Sequence, residues 1–234
     1  EPRAGHAATL ACPTGDLEDA IVLVQGGLNS IGGLLSDLFE VHICENLDGL
    51  IDAIWHEIRP DGSAEGSCLL RAFHSATLWP SVEEEGEHSV VLFGGVCDGP
   101  ADSKPQALQD TVLLTCCERE LPSAGEWRLS RPRISGPLPP GRWGHSAALA
   151  GGPSGGGTTM TVCGGVDALG VRLFDCWTLD LESLGWAMLE EPGIPRGLPA
   201  IGLAPSVWTD DWNAMVVWGS STTGLLNEAD ALKS

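Results

Sequence analysis

The chain has 234 residues and a formal net charge of −20 at pH 7, from 12 basic and 32 acidic side chains. That balance excludes nucleic acid as a partner, because phosphates demand basic patches; it suits solubility or a basic protein partner. The apolar fraction is ordinary for a globular protein and no apolar run is long enough to span a membrane. No secretory leader is visible, and Glu1 rather than methionine opens the sequence, so the true start is expected to lie elsewhere.

Taken in chain order, the elements repeat. In "EPRAGHAATL" Arg3 is followed three residues on by His6, and 20 residues later the apolar run "AIVLVQ" ends at Gly26-Gly27. Asp37 then opens a second apolar run, "LFEVHI", and Trp55 closes the unit. The next copy has Arg71 and His74, then after 20 residues Gly94-Gly95 behind "SVVLF", then Asp110 and Trp127. The third has Arg142 and His145, then after 19 residues Gly164-Gly165 behind "MTVC", then Asp175 and Trp186. A fourth copy is degraded: Arg196, Pro199 in the histidine slot, Gly219 behind "AMVVW" and Glu228 in the acidic slot. The four repeats occupy roughly 1–59, 69–131, 140–190 and 194–234 of one domain spanning 1–234.

Short β-branched runs that stop at glycine read as strands, and a run apolar on both faces suits a strand sandwiched between neighbouring sheets. A unit of about four strands cannot bury both faces alone, whereas sheets stacked around an axis can. The expected fold is therefore all-β, a propeller with four recognisable blades.

The R-x-x-H segment, the double glycine, the acidic residue ahead of a strand and the spaced tryptophan together resemble kelch repeats, over nearly the whole chain. The departures are specific. There is no tyrosine; Val41, Leu114 and Leu179 stand in the slot where kelch repeats carry one. The fourth copy lacks the histidine, the second glycine and the tryptophan. The resemblance implies a kelch-type β-propeller, and because such rings usually have more blades, the four units are expected to be part of a larger ring, completed near the fourth blade.

Loops on a rigid ring are the usual home of binding residues. "PTGDLED", "PSVEEEGEH" and "GGPSGGG" interrupt equivalent places and are expected on one face of the ring. Glu83, Glu84 and Glu85, together with Trp208, Trp212 and Trp218 near the incomplete blade, are the candidate partner-binding residues. "VEEEGE" also reads as a solvated charge run, and "GGPSGGG" lacks the lysine and Ser/Thr of a phosphate-binding loop.

The three repeated histidines would be related by rotation and could in principle converge on a metal. The reading adopted is instead a buried hydrogen bond repeated blade by blade. The motif arginines are expected to bond backbone carbonyls or the repeated carboxylates. Copper oxidases of kelch shape use tyrosine ligands and are excluded here. Iron-dependent relatives use acidic loop ligands, and no spacing among Asp98, Asp102 and Glu83–Glu85 supports such a set. Neither metal nor other cofactor is expected, and no catalytic residue can be nominated. Eight cysteines occur without any C-x-x-C pair; Cys44, Cys116, Cys163 and Cys176 lie in apolar segments and read as unlinked buried thiols, which suits the cytoplasm or another reducing compartment.

The resemblance thus implies a non-catalytic scaffold that presents loops to a protein partner within a larger assembly. A substrate-recognition module of a ubiquitin-ligase or signalling complex is the alternative, and a metal-dependent kelch-type enzyme the remaining one.

Overall fold

In a computed structural model of the chain, the described residues are 2–12, 19–45, 48, 50–61, 68–80, 88–99, 105–118, 125–150 and 158–190, with the backbone of short strands between 206 and 233. All regular structure among them is strand, apart from one short 3-10 turn at Cys68 and Leu69.

A two-residue ladder, β1 (Arg3–Ala4) with β4 (Leu28–Asn29), ties the entry of the first blade to the loop after its glycine doublet. The blade itself is an antiparallel meander of β2 (Ala7–Cys12), β3 (Asp19–Gln25), β5 (Leu38–Glu45) and β6 (Ile51–Glu57). The second blade repeats the order with β7 (Ser75–Pro80), β8 (His88–Phe93), β11 (Thr111–Glu118) and β12 (Glu126–Ser130). Its own small ladder joins β9 (Val96–Cys97) to β10 (Gln106–Ala107). The third uses β13 (Ser146–Ala150), β14 (Thr159–Cys163), β15 (Cys176–Asp180) and β16 (Gly185–Met188). In the fourth, β17 (Ser206–Trp208), β18 (Ala214–Val217) and β21 (Asp230–Lys233) pair as a three-stranded sheet, with the ladder β19 (Ser220–Ser221) and β20 (Gly224–Leu225) following the glycine.

The first strands of successive blades are neighbours: β7 lies between β2 and β13, and β13 lies against β17. The meanders therefore radiate from an inner row, which is propeller architecture. The core sits in the seams between blades. Ile21, Leu23 and Leu38 of the first blade pack with Val90, Leu92, Val112, Leu114, Trp127 and Leu129 of the second. On the other face of β8, Val91 and Phe93 pack with Met160, Val162, Leu179 and Trp186 of the third blade. Alternate residues of "VVLF" thus serve two different seams, which is why the strand is apolar on both faces.

The double glycines make the seams narrow. Gly94 and Gly95 have φ of 64° and 98°, in the left-handed region. A Cβ on Gly94 would stand 2.6 Å from the carbonyl oxygen of Arg142 in the next blade, and the Gly95 N–H donates to that same oxygen at 2.8 Å. Gly27 makes the matching bond to the Arg71 carbonyl at 2.9 Å. Glycine is needed for both the torsion and the approach.

One expectation about the cysteines is corrected. Cys163 and Cys176 form a disulfide across β14 and β15, with Cα atoms 4.3 Å apart. The antiparallel register sets them directly opposite each other, at the close spacing of a pair without its own ladder bonds. Among the described residues Cys44, Cys68, Cys97 and Cys116 are free.

Candidate functional site

One guanidinium explains three of the four repeated landmarks. Arg3 donates to both carboxylate oxygens of Asp37 at 2.7 and 2.8 Å and to the Gly26 carbonyl at 3.1 Å. Arg71 does the same with Asp110, at 3.0 and 2.8 Å, and with Gly94 at 2.9 Å. Arg142 binds Asp175 at 2.8 and 2.9 Å and Gly164 at 2.9 Å. The arginine ahead of the first strand, the glycine ending the second and the aspartate opening the third are thus clasped at one end of each blade. Planar bidentate geometry makes this a rigid tie, and the full burial of Arg71 and Arg142 consumes their donors inside the fold. Burial pushes the Asp175 carboxyl up, but hydrogen bonds from Arg142 and Trp177 override it and hold the group below the usual carboxylate range.

The histidines differ from blade to blade. His145 accepts from or donates to the Ser75 hydroxyl of the preceding blade at 2.9 Å and lies edge-on to Phe93. His74 is equally buried, yet neither ring nitrogen has a protein partner among the described residues. The position matching Ser75 in the blade before it is Ala7, which has no hydroxyl. His6 is exposed. Among the described residues, the expectation of one hydrogen bond repeated in every blade is therefore met at a single seam, because its hydroxyl partner is not itself repeated. Burial, with Arg142 beside it, pushes His145 down to about 3. Burial, with Arg71, His145 and His6 nearby, holds His74 well below the ordinary range. Both rings are neutral near pH 7. Among the described residues no three His, Cys, Asp or Glu side chains are grouped to hold a metal ion.

The tryptophans also face the preceding blade. Trp127 is 4% exposed and Trp186 2%, whereas Trp55 is 58% exposed. The Trp127 indole N–H donates at 2.9 Å to Glu40 of the first blade, which also accepts the Gly125 N–H at 3.0 Å and bonds His42 at 2.9 Å. Glu40 is wholly buried and was not visible as a site residue: the repeat places Leu113 and Thr178 at its equivalents, so nothing periodic marks it.

Two loops share a second design. The Asn29 side-chain oxygen accepts the N–H of Ile31 at 3.1 Å and of Gly33 at 2.7 Å. Asp167 accepts those of Leu169 and Val171, both at 2.8 Å. Each pinned hairpin holds an aliphatic side chain in solvent, Ile31 at 90% and Leu169 at 83% exposure. The signal in the sequence is "NSIG" and "DALG" at one offset from the doublet. These hairpins lie on the same end of the blades as the arginine clasps, as the β1–β4 ladder requires. Of the candidate partner-binding residues, Glu83, Glu84, Glu85, Trp212 and Trp218 lie outside the described residues, and Trp208 is described only as backbone of β17.

No family model matches the chain. Among curated proteins it is 30% identical to human host cell factor 2 over 185 residues, 76% of this chain and 21% of that protein. It is 28% identical to the host cell factor of Drosophila melanogaster, over 78% of this chain and 11% of that protein. An F-box/kelch-repeat protein of Arabidopsis thaliana is 27% identical over 83% of this chain and 34% of its own length. The chain thus spans about a third or less of these relatives. Among solved structures it matches a chain of the RAG complex, determined by cryo-electron microscopy with one melted and one unmelted RSS. The TM-score is 0.56 at 11% identity, covering 98% of this chain and 66% of that one, a likeness of fold alone.

Proposed function

The chain belongs to the kelch-repeat β-propeller family, and on that premise we propose that it is a non-catalytic module that presents loops to a protein partner within a larger assembly. The observation supporting this is the division of labour among its side chains. The repeated arginines, histidines and tryptophans of the second and third blades are buried, while two equivalent, side-chain-pinned hairpins hold Ile31 and Leu169 out in water. Apolar groups held rigidly lose little entropy on binding, which is what an interface anchor needs. The acidic loop carrying Glu83, Glu84 and Glu85 would contribute steering toward a basic partner rather than most of the affinity. The fourth blade, with Trp208, Trp212 and Trp218, would be where a partner completes the ring. The free thiols at Cys44, Cys68, Cys97 and Cys116 favour the reducing intracellular compartment, whereas the Cys163–Cys176 disulfide favours an oxidising one.

The test is native purification followed by carboxylate-reactive cross-linking and mass spectrometry, since only Lys104 and Lys233 would report with amine reagents. The reading requires a stoichiometric protein partner whose retention is lost in the double variant Ile31→Asp, Leu169→Asp, with the melting temperature unchanged. A partner retained equally by that variant, or none at all, would count against it. The F-box in one relative's name favours a second reading, substrate recognition for ubiquitin ligation; it requires the captured partner to be ubiquitinated in a manner dependent on these loops.

A further inference from the structure

The densest run of positive charge in this acidic chain is "WRLSRPRIS", where Arg128, Arg131 and Arg133 supply three of the 12 basic side chains. All three are exposed, whereas Arg71 and Arg142 are spent inside the clasps. From Arg131 to Ser135 the exposure alternates. Arg131, Arg133 and Ser135 are exposed; Pro132 and Ile134 are half-buried, and Ile134 packs into the seam with Met160 and Trp186. An extended segment turns alternate side chains to one side, so Arg131, Arg133 and the Ser135 hydroxyl share the solvent side.

The segment leaves the second blade and runs as a strap beside β16, touching it at Ser135. The Ser135 N–H donates to the Leu184 carbonyl and its own carbonyl accepts the Trp186 N–H, both at 3.0 Å, an isolated parallel bridge to Gly185. Its hydroxyl reaches the Leu184 carbonyl only at 3.5 Å and stays exposed. A Cβ on Gly185 would stand 3.3 Å from Ser135 Oγ, so the glycine leaves the hydroxyl uncrowded. Beyond it Gly136, Pro137 and Leu138 are exposed. We propose that Ser135 is a phosphorylation site, modified by a serine kinase that reads arginine ahead of its target. The proposal goes beyond the loop-binding reading and does not depend on it.

Such a kinase takes its substrate as an extended segment and pairs the arginines with its own carboxylates. Arg133 and Arg131, two and four residues ahead of the hydroxyl, meet that need. Ser130 also follows an arginine by two, but it is held inside β12. It pairs with Leu113 on one edge, and on the other the Leu129 N–H is bonded to the Asp61 carbonyl. Among the described residues a single bridge must open to free Ser135, a local fluctuation, whereas two edges must part to free Ser130. In the transfer, the bond from Pγ of ATP to the β–γ bridging oxygen breaks and one to Ser135 Oγ forms. The hydroxyl proton passes to the kinase's catalytic carboxylate and ADP leaves. The fold accommodates the product: the strap ahead of the second blade carries an exposed acid, Asp61, in a parallel bridge to Arg128. Asp180, across the ladder from Gly185, already has one carboxylate oxygen engaged by the Ser183 N–H and hydroxyl at 2.7 and 2.6 Å. A phosphate of charge about −2 beside Arg133 and Arg131 turns this run from basic to near neutral.

The experiment treats the folded 234-residue protein with magnesium ATP and the catalytic subunit of cyclic-AMP-dependent protein kinase, which reads arginine two residues ahead of serine. Phosphopeptide mapping should place the phosphate on Ser135, and Ser135→Ala should abolish its incorporation. Arg133→Ala should lower kcat/KM about tenfold or more, the worth of a charge-assisted hydrogen bond. Arg133 is the residue to vary because Arg131 also lies 4.0 Å from Asp110. Incorporation at Ser130 in place of Ser135, a rate indifferent to Arg133→Ala, or no incorporation at all overturns the proposal. Ser135→Asp tests the product independently of the kinase. It should melt within about 2 °C of the parent, as an uncrowded surface substitution does. A fall of about 4 °C or more would show that the strap rejects the charge and would overturn the proposal as well.

Discussion

Giving His74 the partner it lacks should stabilise the protein, and removing the partner that His145 has should destabilise it. Ala7 and Ser75 occupy the same place in successive blades, each the first residue of the inner strand and each opposite the last residue of the second strand, Gln25 and Phe93. At the seam between the second and third blades the hydroxyl lies 2.9 Å from the His145 ring. Ala7→Ser builds the same group one seam earlier, where Ala7 and His74 are both buried. A net hydrogen bond contributes about 1 kcal/mol, and a buried polar group stripped of its partner costs about 1–3 kcal/mol. For a chain of this size 1 kcal/mol corresponds to about 2–4 °C in Tm. Ala7→Ser should therefore raise Tm by about 2–4 °C, and Ser75→Ala should lower it by about that much or up to three times as much. Urea and thermal unfolding at pH 7.5, where both rings are neutral, measure each. An Ala7→Ser variant no more stable than the parent, alongside a destabilised Ser75→Ala, would refute the equivalence of the two seams.

Further outcomes follow from the same contacts. His74 and His145 have folded-state pKa values depressed from 6.5, His145 to about 3; as pH falls below 6.5 the unfolded chain takes up protons that the folded rings refuse. Stability from these rings is present above pH 6.5 and declines below it, for His145 by about 1.4 kcal/mol per pH unit, so urea unfolding at pH 5 should report a loss of about 2 kcal/mol relative to pH 8 from His145, with His74 adding to the loss in the same direction; a flat profile over that range would show the rings to be solvated. Glu40→Ala strands the N–H groups of Trp127 and Gly125 and the His42 ring, and should cost about 3 kcal/mol or more in urea unfolding, against about 1 kcal/mol for Glu40→Gln, which keeps an acceptor; equal and small losses would remove the seam role assigned to Glu40. For Gly94→Ala, a Cβ in the left-handed region and against the Arg142 carbonyl should cost about 2 kcal/mol or more. Thiol titration in denaturant should find two fewer reactive cysteines without prior reduction than with it, and alkylated-peptide mapping should name Cys163 and Cys176.

The parts of the fold legible in the sequence were those that every blade must repeat. Arg3, Arg71 and Arg142 stand 22 or 23 residues ahead of the glycine they clasp because one clasp geometry recurs, and "VVLF" reads as a doubly buried strand because Val90 and Val91 serve different seams. What was not legible depends on register or on a single copy. The Cys163–Cys176 bond requires knowing that β14 and β15 pair in that phase. The seam bond of Glu40 to Trp127 spans two blades and has no equivalent in the third, where Leu113 faces the next seam. The histidine hydrogen bond failed to repeat because its partner, Ser75, is alanine one blade earlier. The hairpin anchors Ile31 and Leu169 were within reach of sequence, since an Asn or Asp, an apolar residue and a glycine stand at one offset, but the acidic loops carried the more conspicuous composition.

The claim beneath all of this is that each blade's tryptophan is sealed by the blade before it. Hydroxyl-radical footprinting of the 234-residue protein, read tryptophan by tryptophan, tests it most directly. The account predicts fast oxidation at Trp55 and protection at both Trp127 and Trp186. Comparable rates at all three, or a protected Trp55 beside a reactive Trp127, would contradict it.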